Sequence, residues 1–228
     1  MSTRKKAVDR GHLPPRLPAE RPGPVGGKRD ANRRERIAQL CDAALKLYLV
    51  HGIGSVTIDQ IVDEAGVAKG SFYRYFTDQE ELVATLLGPL GDALRTSMDA
   101  AESRLAAVKD PRELPAIYLT MASELAAVTG RSPDLLRLYL QECRSPAAGA
   151  RRPVRTLADE VAARAVRLST VARDFGLLRD TDPRVGALTV IGAVERLTFA
   201  VLSGEDVGRL RDLPTTLVSM ILEGVRAR

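Results

Sequence analysis

The sequence predicts an all-α fold, a small N-terminal helical head followed by a larger helical body, and three observations predict it. Apolar residues recur at i, i+3, i+4 and i+7 in one stretch after another. Glycine and proline punctuate those stretches. Aromatic residues are only 4 % and Trp is absent, while Ala, Leu, Arg and Val dominate, which disfavours a β-sandwich. At 228 residues and 45 % hydrophobic content the chain can bury a sizeable core.

Residues 1–31 read as a disordered arm. The run RGHLPPRLPAERPGPVGGKR is too rich in Pro, Gly and charge to pack, and it lacks the apolar core of a secretory signal. Met1–Arg36 carries a net charge of +7 against +5 for the whole chain, so positive potential gathers at this end. A first helix is expected from Asn32, spaced from Glu35 as a capping box, with Ile37, Leu40, Cys41, Ala44, Leu45 and Tyr48 as its stripe and Gly52 as its end. His51 falls in its last turn, where a cation suits the dipole.

The stretch TIDQIVDEAGVAKGSFYRYF, within residues 56–76, predicts two short helices around Gly66. Thr57 and Gln60 have capping-box spacing, and Ile58, Ile61, Val62 and Ala65 form one buried stripe. After the turn, Ala68, Phe72, Tyr75 and Phe76 share an inner side, leaving Lys69, Gly70, Tyr73 and Arg74 outside. Such a pair is the helix-turn-helix arrangement that sets a recognition helix in the major groove of double-stranded DNA. Lys69, Ser71, Tyr73 and Arg74 can donate to phosphates or base edges, and Gly70 permits close approach. Arg34, at the end of the arm, can reach an adjacent phosphate or groove.

Ala65-Gly66-Val67-Ala68-Lys69-Gly70-Ser71-Phe72-Tyr73-Arg74-Tyr75-Phe76, followed by Asp78 and Glu80-Glu81-Leu82, closely resembles the N-terminal domain of TetR-type (tetracycline-repressor-like) transcriptional regulators. The resemblance covers roughly Arg33 to Leu87, about a quarter of the chain. It implies DNA contacts from Arg34, Thr57, Ala68, Lys69, Gly70, Ser71, Tyr73, Arg74 and Gln79. Two positions depart from the pattern: Ala68 stands where Ser or Thr is common, and Gln79 where Lys is usual and would release a counterion.

The head is expected over 32–87 and the body over 88–228. The fourth helix should open at Asp78 and run towards Val108, with Gly88-Pro89 causing either a kink or a break. Further helices are expected over Leu114–Val128, stopped by Gly130, and over Asp134–Arg144 behind Ser132-Pro133. After a loop from Ser145 to Pro153, three more should cover Val154–Phe175, Arg184–Leu202 and a final run from Leu210 to Val225. Arg184–Leu202 is apolar nearly all round and needs cover on more than one side. Either it fills the monomer core or, as the resemblance implies, the last two helices pair with those of a second subunit. Leu188, Ile191, Leu217 and Ile221 are then interface candidates in a homodimer that reads a palindromic operator. Glu195 and Arg196 on this helix call for solvent, an ion-pair partner or a ligand.

No nucleotide-binding loop, nucleophile elbow or metal-spaced His cluster occurs, and only two His and two Cys are present, so an enzyme, a cofactor and a metal are not expected. Cys41 reads as core, and Cys143 as core or a thiol sensor. No stretch approaches eighteen uninterrupted apolar residues, so no membrane partner and a cytoplasmic location are expected. The resemblance implies a ligand-responsive regulator, most often a repressor, released by a small-molecule effector held inside the body. Met98, Tyr118, Met121, Tyr139, Phe175 and Phe199 are candidate linings, each equally able to be plain core. The competing class is an effector-independent or architectural DNA-binding protein, against which a body of about 140 residues argues.

Overall fold

The computed structural model describes residues 27–176 and 182–225, so most of the N-terminal arm and part of the connector before the eighth helix lie outside the described residues. Among the described residues, nine α-helices follow in order: α1 (Lys28–His51), α2 (Ile58–Ala65), α3 (Lys69–Tyr75), α4 (Gln79–Ala107), α5 (Leu114–Arg131), α6 (Pro133–Glu142), α7 (Arg152–Asp174), α8 (Pro183–Leu202) and α9 (Leu213–Val225). Among the described residues there is no strand.

Four local expectations shift. α1 begins at Lys28, not at Asn32, because no helix breaker separates Lys28 from Asn32 and extended Gly27 supplies the turn. Asp30 sits in the first turn and pairs with Arg34 at 2.9 Å, which suits the positive helix end. α4 passes through Gly88-Pro89 unbroken, since proline removes one backbone donor while Leu86, Leu87 and Leu90 around it are buried. Gly130 does not end α5. Its propensity cost of about 1 kcal/mol is too small, and the helix stops instead at Ser132, forced out of the α region by Pro133. Pro153 does not belong to a loop but to the first turn of α7, where its missing N–H costs nothing.

One apolar cluster runs from Ile37, Leu40 and Phe72 in α1 and α3 through Leu82 and Leu90 in α4 to Leu135, Leu138 and Val154 in α6 and α7. A boundary between residues 87 and 88 therefore falls inside a continuous helix and a shared core. A smaller second cluster, Met98, Ala101, Leu105, Leu114 and Leu168, sits farther along α4. Arg95–Glu160, Arg164–Asp99 and Arg167–Glu102 join α4 to α7 at 2.8 to 2.9 Å. These pairs are largely exposed and orient the helices more than they stabilise them.

α8 packs on α7 and α6, whereas α9 packs on α5. Only Ala187 and Ala200 of α8 are buried, although the helix is long and apolar enough by length and composition to cross a membrane. That is more apolar length than the uninterrupted-run criterion allowed, because Glu195 and Arg196 interrupt the run without removing its apolarity.

Candidate nucleic-acid interface and effector cavity

The head is held by short-range caps. The Thr57 hydroxyl accepts from the Gln60 N–H at 3.3 Å, and the Gln60 carbonyl oxygen returns an acceptor to the Thr57 N–H at 2.8 Å. Gly66 closes α2 in the left-handed region, at φ 65°, which a side chain would strain. From α1, the Gln39 amide donates to the Ala65 carbonyl at 2.6 Å and fixes the end of α2 from outside. Extended Ala68 then opens α3 without a side-chain cap, and Asp78 caps α4 by accepting from the Glu81 N–H at 2.9 Å.

α3 turns one side inward and the other out. Phe72 and Phe76 are fully buried, while Lys69, Gly70, Tyr73 and Arg74 are exposed and Ser71 is half-buried. Tyr73 keeps 53 % of its surface, its ring edge-on to Phe72. A Cβ placed on Gly70 would meet nothing within 4 Å, so neither packing nor a positive φ requires glycine there. Lys69 spans to α2, with its ammonium 2.6 Å from Asp59, and the carboxylate raises its pKa.

Gln79 departs from its expected place at a phosphate. Its amide nitrogen donates to the Tyr48 hydroxyl at 2.8 Å and to the Val56 carbonyl at 3.1 Å, tying the start of α4 to α1 and to the entry of α2. The donors that a lysine would direct outward are spent on the interior of the head. Thr57 likewise has its hydroxyl in the capping box, and Arg34 is paired with Asp30.

A buried carboxylate that sequence reasoning missed joins head to body. Glu142, at the end of α6, accepts from the Ile53 N–H at 2.9 Å through one oxygen and from the Arg151 guanidinium at 2.7 Å through the other. Ile53 lies in the connection between α1 and α2, so both oxygens of one α6 side chain are committed to the junction. A Cβ at Gly54 would meet the Arg151 guanidinium, which would have to shift. No local signal in the sequence reveals this pair, because Ile53 is far from Glu142 along the chain.

Beyond the junction, the body forms an open-mouthed cavity of about 550 Å³ lined by all six helices from α4 to α9. Met98, Tyr118, Met121 and Tyr139 line it. Phe175 does not: it follows the end of α7 and is exposed. Phe199 lines instead a smaller adjoining pocket. Ile191, Leu217 and Ile221, assigned to a dimer seam, face the cavity, and of that set only Leu188 stands out, at 61 % exposure. The cause is shared: an all-round apolar helix meets both an internal void and an outer face, and periodicity does not say which residue meets which. Leu125, Val161, Leu168 and Val194 are linings that sequence reasoning did not select.

Polar groups in the lining are few. The Tyr118 hydroxyl donates to the Leu168 carbonyl at 2.9 Å, which satisfies it. Glu195 is the one charged lining residue, 2.8 Å from the Arg144 guanidinium and hydrogen-bonded by the Tyr139 hydroxyl. Burial raises its carboxyl pKa, and Arg144 and Tyr139 partly offset this. Arg196 turns outward to Glu205 at 3.0 Å. Both cysteines are buried, and burial raises both thiol pKa values, which opposes the thiolate that a redox sensor needs. No group of side chains among the described residues could hold a metal ion.

The helix-turn-helix geometry is matched by sequence. Residues 40–86 match the family model for bacterial regulatory proteins of the tetR family. This stretch, from within α1 to within α4, is similar to the N-terminal domain of that family. That match supports a DNA-binding regulator. The fold of the whole chain is similar to that of the fatty acid degradation regulator FadR from Bacillus halodurans, at 19 % identity and TM-score 0.60, over 92 % of this chain and 100 % of that one. It is also similar to FadR from Bacillus subtilis in complex with stearoyl-CoA (18 %, TM-score 0.58, 82 % and 98 %). A third likeness is to Thermus thermophilus FadR, a TetR family transcriptional repressor in complex with lauroyl-CoA (20 %, TM-score 0.56, 84 % and 96 %). At these identities the likeness is one of fold, and the TetR-family head is the part matched by sequence.

Proposed function

We propose that this regulator is a cytoplasmic repressor that binds a palindromic operator as a homodimer and is released by a long-chain apolar effector held in the body. The observation that carries the reading is one chain with two surfaces: an outward α3 face of Lys69, Gly70, Tyr73 and Arg74, and a cavity lined by every helix of the body. Cavities of a few hundred cubic ångströms with mostly apolar walls suit small apolar ligands. The acyl-CoA complexes of the FadR structures point to the same ligand type.

In the groove, Lys69 exchanges Asp59 for a phosphate, and Tyr73 and Arg74 donate beside it. Gly70 lets backbone come near the bases, and Arg34 reaches along the neighbouring backbone. Gln79 and Thr57 serve by holding α3 in place. Pairing of two copies uses the uncovered apolar side of α8 and α9, where Leu188 and Met220 are exposed. A two-fold axis there presents two heads to two half-sites.

Release follows from differential binding. An effector that prefers one arrangement of the body lowers operator affinity by its preference between the two states. α6 is the direct route, because Leu136, Tyr139 and Leu140 line the cavity while Glu142 holds the α1–α2 connection.

The test is footprinting of purified protein on DNA flanking its own coding region, with and without lauroyl-CoA. The expected result is one protected palindrome that lauroyl-CoA uncovers. A palindrome indifferent to every apolar ligand would favour an effector-independent protein, and protection without a palindrome an architectural one.

A further inference from the structure

The cavity and the smaller pocket beside it meet at Leu140 and Glu195, which line both. That outer pocket, about 360 Å³, is completed by Gln141, Arg144, Arg196 and Phe199. The main cavity is mostly apolar, whereas the outer pocket is lined by two arginines, Arg144 paired with Glu195 and Arg196 paired with Glu205. We infer that the outer pocket is the headgroup subsite of an amphipathic effector, and that it takes an anionic head, a carboxylate or a phosphate, while the chain lies in the cavity.

This rests on the cavity being the effector site, and it adds which end of the ligand is charged, with what sign, and where. An amphiphile whose chain fills an apolar cavity must bring its polar end to water or to partners, and the junction at Glu195 is where the wall becomes polar. Guanidinium forks match planar carboxylate and phosphate oxygens two at a time. Both arginines are held by exchangeable partners: Arg144 by Glu195, and Arg196 by exposed Glu205. Arg196–Glu205 is an exposed pair and weak, so an incoming anion can replace its carboxylate, and the exposed Arg144 guanidinium can turn to the same anion from the more buried Glu195. Glu195, released from Arg144, keeps the Tyr139 hydroxyl as donor. Its carboxylate is therefore the competitor of the ligand head as well as its neighbour, which gives the two side chains opposite effects.

Glu195 and Phe199 follow Leu188 along α8 at i+7 and i+11, so the pocket opens beside the exposed face of that helix and binding is measured on the assembled full chain. Calorimetry with four probes of one chain length tests the assignment: dodecanoate, lauroyl-CoA, dodecanol and dodecyltrimethylammonium. The anionic pair should bind at least tenfold more tightly than dodecanol, and the cation least. Whichever of dodecanoate and lauroyl-CoA binds more tightly identifies the head as carboxylate or phosphate.

Arg144→Ala with Arg196→Ala should erase the anionic advantage and leave dodecanol unchanged, whereas Glu195→Gln should strengthen anionic binding severalfold. A merely structural role for these residues would weaken all four probes together, and that result would overturn the inference. So would tight binding of every head alike, or preference for the cation, with the cavity reading intact. Binding of none of the four would remove the cavity reading and this inference with it.

Discussion

Around Phe72 and Phe76 the head closes its interior, with Ile37, Leu40, Ile61 and Phe72 all without accessible surface, whereas the body arranges six helices around a void of about 550 Å³. The last two helices of the body are more apolar than those of the head, so hydrophobicity alone does not explain why the head is the closed region. The difference lies in how each helix is pinned. In the head, Gln39, Thr57, Gln79 and Asp78 each lock a helix end or a turn through a side-chain hydrogen bond. In the body, α8 and α9 reach different neighbours, and the space between them stays open. A reading head needs one shape, and a ligand-binding body needs room for two.

The largest effect should come from breaking the closed side. Phe72→Ala should cost about 3 to 5 kcal/mol and abolish DNA binding, because no neighbour in so dense a core can collapse into the space. Leu168→Ala, beside the cavity, should cost less than half as much in denaturant titration. Equal costs would mean that the two interiors do not differ as described.

Next is the joint between the regions. Glu142→Ala strands the Ile53 N–H and the Arg151 guanidinium and should destabilise by about 3 kcal/mol. Hydrogen exchange at the Ile53 amide should accelerate in Glu142→Ala while amides within α5 and α9 are spared. Uniform acceleration along the chain would mean that Glu142 supports the fold as a whole and not the joint.

Smaller changes probe the α3 face. Gly70→Ala should stabilise the free protein by up to about 1 kcal/mol, through helix propensity, while weakening operator binding. Lys69→Ala and Tyr73→Phe should each weaken operator binding about tenfold and leave dimerisation alone. Lys69→Ala should also flatten the dependence on salt, by about one phosphate contact. Wild-type affinity in all three variants would mean that another face enters the groove.

Much of the head was legible because its determinants are local. Thr57 with Gln60, Gly66, and Asp78 with Glu81 are signals a few residues long, and each forms the cap its spacing predicts. Gln79 was misplaced because its partners, Tyr48 and the Val56 carbonyl, come together only in three dimensions. The cavity was legible only in part. Large side chains on the inner stripes of α4, α5 and α6 were found, whereas Phe175 and Phe199 fall near helix ends, where a stripe no longer fixes direction. Ile191, Leu217 and Ile221 illustrate the same limit, since apolarity alone does not distinguish a ligand, a second copy and the chain's own core.

The smallest effect should separate two kinds of carboxylate within the body. Arg164 holds the Asp99 carboxyl below its ordinary value, and Ser97 with Arg104 does the same for Glu124. Both contributions are present at neutral pH and are lost as pH falls below the ordinary values, 4.5 for Glu124 and 3.8 for Asp99, and then through the depressed ones. Glu195 has the opposite sign, because its raised value makes the charged form costly at neutral pH and acid relieves that cost. Asp99→Asn should therefore flatten the acid side of a stability profile, whereas Glu195→Gln should steepen it slightly. Denaturant midpoints between pH 7 and pH 3 check both.

α6 is ten residues long and serves both regions at once. Leu136, Tyr139 and Leu140 shape the cavity, and Glu142 follows within one turn. On the proposed function, recutting that wall to admit a different inducer would reset the resting grip on DNA in the same stroke, because no joint separates the two duties along the helix. Leu217 on α9 lines the same space, and on the proposed function it is a position where ligand choice can drift while the operator stays the same.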